Sequence, residues 1–264
     1  MIFVIELIQN LDKKEKMLDI DTIKNTIICG DALEELKKFP DESIDLILTD
    51  PPYQIRWKSQ IELHGRKAFY HNYQELKEFD NIDVKELYKK IYPEFDRILK
   101  STGSLLMFVR NEKVTYAVDE GLRNNLDTKT IISWHKTNPL PQVRKVNYLS
   151  SIESILWQAR WFDKKIQFTF NFKKQKEMHN FIEMPICSGN ERTSHPTQKP
   201  LKLIEHLIEI HSNPNDLILD PFIGSGTTAV ACKRLKRNFI GIDISKKYCE
   251  LARQRIKNQP EPLL

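Results

Sequence analysis

Two clusters of residues could do chemistry. The first is Asp50-Pro51-Pro52-Tyr53, which follows the apolar run Ile44–Thr49. A carboxylate at the C-terminal end of a strand stands where open α/β sheets bind ligands. The two prolines fix the backbone and remove two N–H donors, so the carbonyls of Asp50 and Pro51 become acceptors on a stiff frame beside an aromatic ring. An acid, a rigid carbonyl and a ring face suit a planar group bearing an –NH2. The amine donates two hydrogen bonds and the ring stacks on the plane. Asp-Pro also opens ordinary turns, so the tetrapeptide alone does not decide the matter.

The second cluster is Asp220-Pro221-Phe222-Ile223-Gly224-Ser225-Gly226-Thr227-Thr228, between the apolar run Leu217–Leu219 and a helical pattern. The chain has only eight glycines, and this pair marks a tight strand-to-helix turn where a ligand can approach the backbone closely. The spacing matches neither a triphosphate loop nor the G-x-G-x-x-G dinucleotide turn. Further on, Asp243 ends the strand Asn238–Ile242. A carboxylate there can bind both hydroxyls of a ribose, and it also suits the N-cap of the helix that follows. The expected ligand is a nucleoside derivative without a diphosphate.

Apolar runs alternating with helical patterns must position these clusters, which points to a parallel α/β sheet. Strands are expected at Thr26–Cys29, Ile44–Leu48, Ser104–Val109, Thr130–Trp134, Ile152–Trp157, Leu217–Leu219 and Phe239–Ile242. Helices are expected at Ala32–Phe39, Val84–Lys100, Lys113–Asn124, Leu201–Ile210, Thr227–Leu235 and Lys246–Lys257. Gln167–Phe172 alternates like an exposed strand or hairpin. Gln54–Asp83 and residues 158–195 have weak periodicity and read as long functional loops.

Composition narrows the class. The chain has 264 residues, 40% apolar and 29% charged, enough for a packed core of one to two domains. No apolar run reaches the roughly 18 residues of a membrane span, and the short apolar N-terminus has no cleavage site of the secretory kind. Cys29, Cys187, Cys232 and Cys249 form no C-x-x-C pair, so neither structural zinc nor a disulfide framework is expected. The expectation is a cytoplasmic protein without a metal. The net charge of +5 is modest, but Lys and Arg concentrate in 136–176, where the acids are Glu153 and Asp163. That excess fits a polyanionic partner, although a solvated face explains charge alone equally well.

Taken together, Thr49–Tyr53, His-Pro-Thr-Gln-Lys-Pro (195–200), Asp220–Thr228 and Ile-Gly-Ile-Asp (240–243) resemble the motifs of S-adenosylmethionine-dependent DNA amino-methyltransferases. With the catalytic motif first and the glycines late, they most resemble the β-class adenine-N6 enzymes. The resemblance covers roughly residues 24–257. It implies a Rossmann-like α/β fold with a mixed, mostly parallel seven-stranded sheet flanked by helices. It also implies an N-terminal extension at 1–23, a methyltransferase domain at 24–264, and target-recognition loops at about 54–83 and 136–192.

By resemblance, Asp220, Phe222, Gly224, Ser225, Gly226 and Thr227 line the S-adenosylmethionine site, Asp243 binds its ribose and Asp31 sits near its adenine. His195, Thr197 and Lys199 hold its methionine end. Asp50, Pro51, Pro52 and Tyr53 are the catalytic residues, with Tyr53 stacking on a base flipped out of double-stranded DNA. None of the four cysteines lies in the tetrapeptide, which argues against carbon-5 cytosine methylation. The family also makes a homodimer and a cognate restriction endonuclease the partners to look for. Arg56, Trp57, Lys58, Arg66 and Lys67, with Lys136, Asn138, Gln142, Arg144, Lys145, Asn147 and a basic hairpin near Lys164–Lys176, are candidates for touching DNA.

Cytosine-N4 or RNA adenine methylation, small-molecule methylation and a non-catalytic nucleic-acid-binding relative are the competing readings. Cytosine-N4 enzymes tend to carry Ser at the position of Asp50, which tilts the reading to adenine.

Overall fold

The computed structural model describes residues 17–53, 83–141, 145–160 and 168–259. Their eight strands form one sheet: β1 (Thr26–Cys29), β2 (Ile44–Thr49), β3 (Leu99–Val109), β4 (Leu126–Lys136), β5 (Ile152–Arg160), β6 (Phe181–Met184), β7 (Leu217–Asp220) and β8 (Asn238–Asp243). The spatial order is β1-β8-β7-β2-β3-β5-β4-β6. Only the β3–β5 and β4–β5 pairs are antiparallel, so the sheet is mixed and mostly parallel, as expected.

The helices are α1 (Ile20–Ile23), α2 (Ala32–Leu36), α3 (Val84–Ile98), α4 (Val114–Arg123), α5 (Leu201–His211), α6 (Thr227–Arg234) and α7 (Lys246–Lys257). α2, α3 and α4 cover one face of the sheet, and α5, α6 and α7 the other. α3 shows how the sequence specifies this. Asp83 caps it by accepting from the Lys85 amide at 2.9 Å, and Val84, Leu87, Tyr88, Ile91, Tyr92, Phe95 and Ile98 recur at helical spacing and are buried. β2 lies between β7 and β3 and is buried along nearly its whole length, which is why it reads as a continuous apolar run rather than an alternating one.

Three expectations are corrected. The sheet has eight strands, not seven, because Phe181–Met184 adds parallel to β4 through Ser133↔Phe181 to Lys136↔Met184. That strand makes part of the expected loop 136–192, and of the irregular stretch 158–195, regular structure, while β5 contains the expected strand Ile152–Trp157 and runs on to Arg160. Within the expected strand Gln167–Phe172, residues 168–172 form no ladder. The Thr169 amide donates to Thr102 in β3, whereas the Asn171 amide donates to Ile210 in α5. The alternation there comes from Phe168 and Phe170, whose rings pack on Trp157 at 5.1 and 4.9 Å.

The described part of the N-terminal extension is packed on the domain. The Leu18 amide donates to Lys38 at 2.8 Å, and Leu18, Ile20 and Ile23 rest against the core. Arg56, Trp57, Lys58, Arg66, Lys67, Gln142, Arg144 and Lys164 lie outside the described residues. Among the described residues, no helix is long and apolar enough to cross a membrane, and no cluster of His, Cys, Asp and Glu could hold a metal.

Candidate active site

β2 and β7 are adjacent and parallel, so Asp50 and Asp220 come to the same edge of the sheet. A hydrogen bond from Thr49 Oγ1 to Asp220 Oδ1, 2.9 Å, ties the two strand ends together. The other Asp220 oxygen accepts from Thr228 Oγ1 at 2.7 Å, and the Phe222 amide donates to Oδ1 at 3.2 Å. Asp220 is thus the internal clasp of the strand-to-helix turn.

Burial pushes the Asp220 carboxyl up to about 7 against the pull of these hydrogen bonds. A raised folded pKa means that the stability this group contributes is present below its ordinary pKa and is lost as pH rises through 7. Asp220→Asn does not titrate. Relative to the parent, the variant should gain about 2–3 kcal/mol in unfolding free energy between pH 5 and pH 8. Urea unfolding at the two pH values checks this. The opposite trend from His195, set out below, is common to both proteins and cancels in the difference.

Asp243 ends β8. Its Oδ2 accepts from the Gly224 amide at 3.0 Å and its Oδ1 from the Ser245 amide at 2.8 Å. The second helix-cap role foreseen for it falls instead to Ser245, whose side chain accepts from Tyr248 N. Burial raises the Asp243 carboxyl above its ordinary range. Asp31 caps α2 through the Leu33 amide at 2.8 Å, at the end of β1 beside β8.

Gly224 has φ +50°, and a Cβ there would lie 2.9 Å from His195 Nε2. The His195 ring meets Tyr248 edge-on at 4.5 Å, and its Nδ1 is buried without a hydrogen-bond partner among the described residues. Burial, then the charges of Lys199, Arg255 and Arg192, bring His195 down to about 4. It is neutral at physiological pH, and its contribution to stability is lost as pH falls from about 6.5 through 4.

These residues surround one cavity of about 600 Å³. It reaches from Asp50, Pro51, Pro52 and Tyr53 past Asp220, Phe222, Gly224, Ser225 and Thr227 to Asp243 and Asp31, with His195, Thr197 and Lys199 along it. Gly226 does not line it. At φ +80° it starts α6, and a Cβ there would lie 2.8 Å from the Ala252 Cβ, so it serves close packing of α6 on α7.

Lys199, expected at the methionine end of the cofactor, lines the cavity with its ammonium on Asp50, 3.5 Å from Glu153. Burial opposes its charge, but Asp50 and Glu153 outweigh that and raise its pKa. Tyr53 donates its hydroxyl to Asp50. Burial raises the Asp50 carboxyl, with Lys199 pulling the other way. Of the residues expected to touch DNA, Lys136 is turned inward and paired with Glu153 at 2.6 Å, and Asn138 accepts from the Ile186 amide at 2.7 Å. Lys145 and Asn147 are exposed.

Glu153 and Tyr248 are site residues the sequence reading missed, and Thr49, part of the motif, was given no role of its own. Glu153 had a signal: it is an acid at the head of an otherwise apolar strand in a basic segment. Tyr248 had none.

S-adenosylmethionine fits this cavity. Asp243 keeps lone pairs for two hydroxyl donors beyond its two backbone partners. The space opposite His195 is available because residue 224 has no side chain, and the volume lies within the usual range of about 300–1,000 Å³ for small-molecule sites. Comparison with known proteins agrees. The DNA methylase family model matches residues 44–254. The type II methyltransferase M.HinfI of Haemophilus influenzae is 35% identical over 266 residues, 92% of this chain and 72% of the relative. The type II methyltransferase M2.DpnII of Streptococcus pneumoniae is 32% identical over 248 residues, 90% and 91% of the two chains. A crystal structure of an M1.HpyAVI–SAM complex aligns with TM-score 0.66 and 34% identity, covering 89% of this chain and 99% of that one. The cavity and the Asp50-Pro51-Pro52-Tyr53 tetrapeptide at one sheet edge therefore have a shared explanation: the chain belongs to the DNA methylase family and is an S-adenosylmethionine-dependent DNA methyltransferase.

Proposed function

We propose that the chain methylates the N6 amino group of adenine in double-stranded DNA after flipping the base out of the helix. The observation that carries this is the Asp50 carboxylate, on a double-proline frame, in the same cavity as Asp243 and Gly224. When bound, S-adenosylmethionine supplies an electrophilic methyl group. Asp243 binds the ribose hydroxyls and Asp31 the region of the adenine. Phe222, Gly224, Ser225 and Thr227 form the wall, and His195 and Thr197 close the methionine end.

An adenine amine is a weak nucleophile because its lone pair is delocalised into the ring. Hydrogen bonds from it to Asp50 and to the Pro51 carbonyl favour a pyramidal nitrogen, and the Asp50 charge stabilises the positive charge that develops there. Tyr53 stacks on the base. Holding the amine in line supplies much of the rate. Asp50 need not be a strong base, because the proton leaves after transfer.

Residues 24–264 form the methyltransferase domain in this reading, with recognition loops at about 54–83 and in 136–192. Lys145 and Asn147 are exposed in the second of these. The curated relatives are named type II methyltransferases, which supports a cognate restriction endonuclease as partner and the cytoplasm as the place of action. Light scattering of the purified chain tests the homodimer. The deciding experiment is incubation with DNA and methyl-labelled S-adenosylmethionine, digestion to nucleosides and mass spectrometry. Label in N6-methyladenine is expected. Label in N4-methylcytosine would change the substrate, and absence of label from every DNA base would overturn the reading.

A further inference from the structure

Both oxygens of Asp50 have donors before any target base arrives: Oδ1 accepts from the Tyr53 hydroxyl and Oδ2 from the Lys199 ammonium. Lys199 is 8% exposed and sits over the rings of Phe108 and Tyr53, at 4.8 and 5.6 Å. The Asp50–Lys199 pair is neutral, and a neutral pair is poorly suited to stabilise a cation developing on an amine. The ammonium also competes with the amine for the carboxylate.

β5 brings a second carboxylate to the same ammonium. Glu153 Oε2 lies 3.5 Å from Lys199 Nζ and, among the described residues, is buried with no closer hydrogen-bond partner, whereas Glu153 Oε1 is held by Lys136 at 2.6 Å. A buried anionic oxygen without a donor is costly, and the nearby ammonium is the donor that would satisfy it. Burial opposes ionisation of Glu153, but Lys199 and Lys136 outweigh it and hold the carboxyl below its ordinary range. The result is a row of alternating charge: Lys136, Glu153, Lys199, Asp50.

We propose that Glu153 is a positioning residue: it offers Lys199 a second seat, draws the ammonium off Asp50 as the target amine enters, and so leaves the Asp50 carboxylate facing the nitrogen. The shift needed is small, because Nζ already stands between the two carboxylates. Glu153 also balances the row. With Gln at 153 the remaining three charges sum to +1 beside a nitrogen that must become positive, and Asp50 is the one anionic partner left to Lys199 among the described residues.

This inference rests on the amine-methylation reading, which the labelling of the parent enzyme tests separately. Its own test compares single-turnover methyl transfer in the active parent, Glu153→Gln, Lys199→Gln and the double variant. S-adenosylmethionine affinity, followed by fluorescence, reports on the fold. Glu153→Gln should lower the transfer rate about ten- to a hundredfold with cofactor affinity unchanged. In the Lys199→Gln background the same substitution should cause no further loss, because Glu153 acts through Lys199. A parental rate in Glu153→Gln, an equal loss in both backgrounds, or loss of cofactor binding in Glu153→Gln would each overturn the proposal.

Discussion

Asp50→Ala is expected to slow methyl transfer by about 10²–10³-fold while leaving affinity for S-adenosylmethionine essentially unchanged. The separation follows from geometry. Asp50 ends β2 and bonds to Tyr53 and Lys199. The groups fitted to the nucleoside stand on the other side of Asp220, at the ends of β7 and β8. Asp220 keeps its Thr49, Thr228 and Phe222 partners when residue 50 loses its carboxylate, so the turn should hold its shape. Lys199 keeps Glu153 as counter-charge. Single-turnover transfer of labelled methyl, with cofactor binding by titration calorimetry, reads both halves. Full transfer in the variant would remove Asp50 from the chemistry.

The second large effect distinguishes the two glycines of the turn. Gly226→Ala should destabilise the fold by about 2–5 kcal/mol, combining left-handed backbone strain of about 1–2 kcal/mol with overpacking of about 1–3 kcal/mol. The added Cβ would stand 2.8 Å from the Ala252 Cβ and 2.9 Å from its Cα, and backbone cannot rotate out of the way. The melting temperature should fall by about 5–15 °C. Gly224→Ala meets the tip of a side chain, His195 Nε2 at 2.9 Å, which can turn aside. It should cost less stability but at least about tenfold in cofactor affinity, because the ring would move into the space the ligand needs. Thermal melts and cofactor titration of both variants check the contrast. Similar melts for the two would show that Gly226 is not the packing glycine.

Much of this was legible in the sequence, for physical reasons. β2 and β8 are buried parallel strands, so Leu46–Leu48 and Phe239–Ile242 read as apolar runs, and α7 was readable to its last residue from the pattern over Lys246–Lys257. Both chemical clusters stand at strand ends, where turn residues and carboxylates contrast sharply with the apolar runs before them. β6 was not legible because its four residues are too few to show a period, and its outer face is exposed. Phe168 and Phe170 misled because rings packing on a tryptophan mimic the alternation of a strand. The partner of Lys199 was not legible either. A lysine in a loop rich in proline suggests an anionic ligand, and nothing local indicates that β2 and β5 bring two carboxylates to it.

The sheet order has a consequence for how the enzyme comes into being. β1 pairs with β8 through Thr26↔Ile240, and β2 pairs with β7 through Leu46↔Ile218. Both pairings join the first described strands in chain order to the last. Such long loops close slowly, and an unpaired strand edge is exposed to other chains while it waits. β2, with Asp50 at its tip, cannot complete its place in the sheet until β7 has been made. Asp50 at the tip of β2 and Asp220 at the end of β7 therefore reach their shared edge together, only once these late strands are in place.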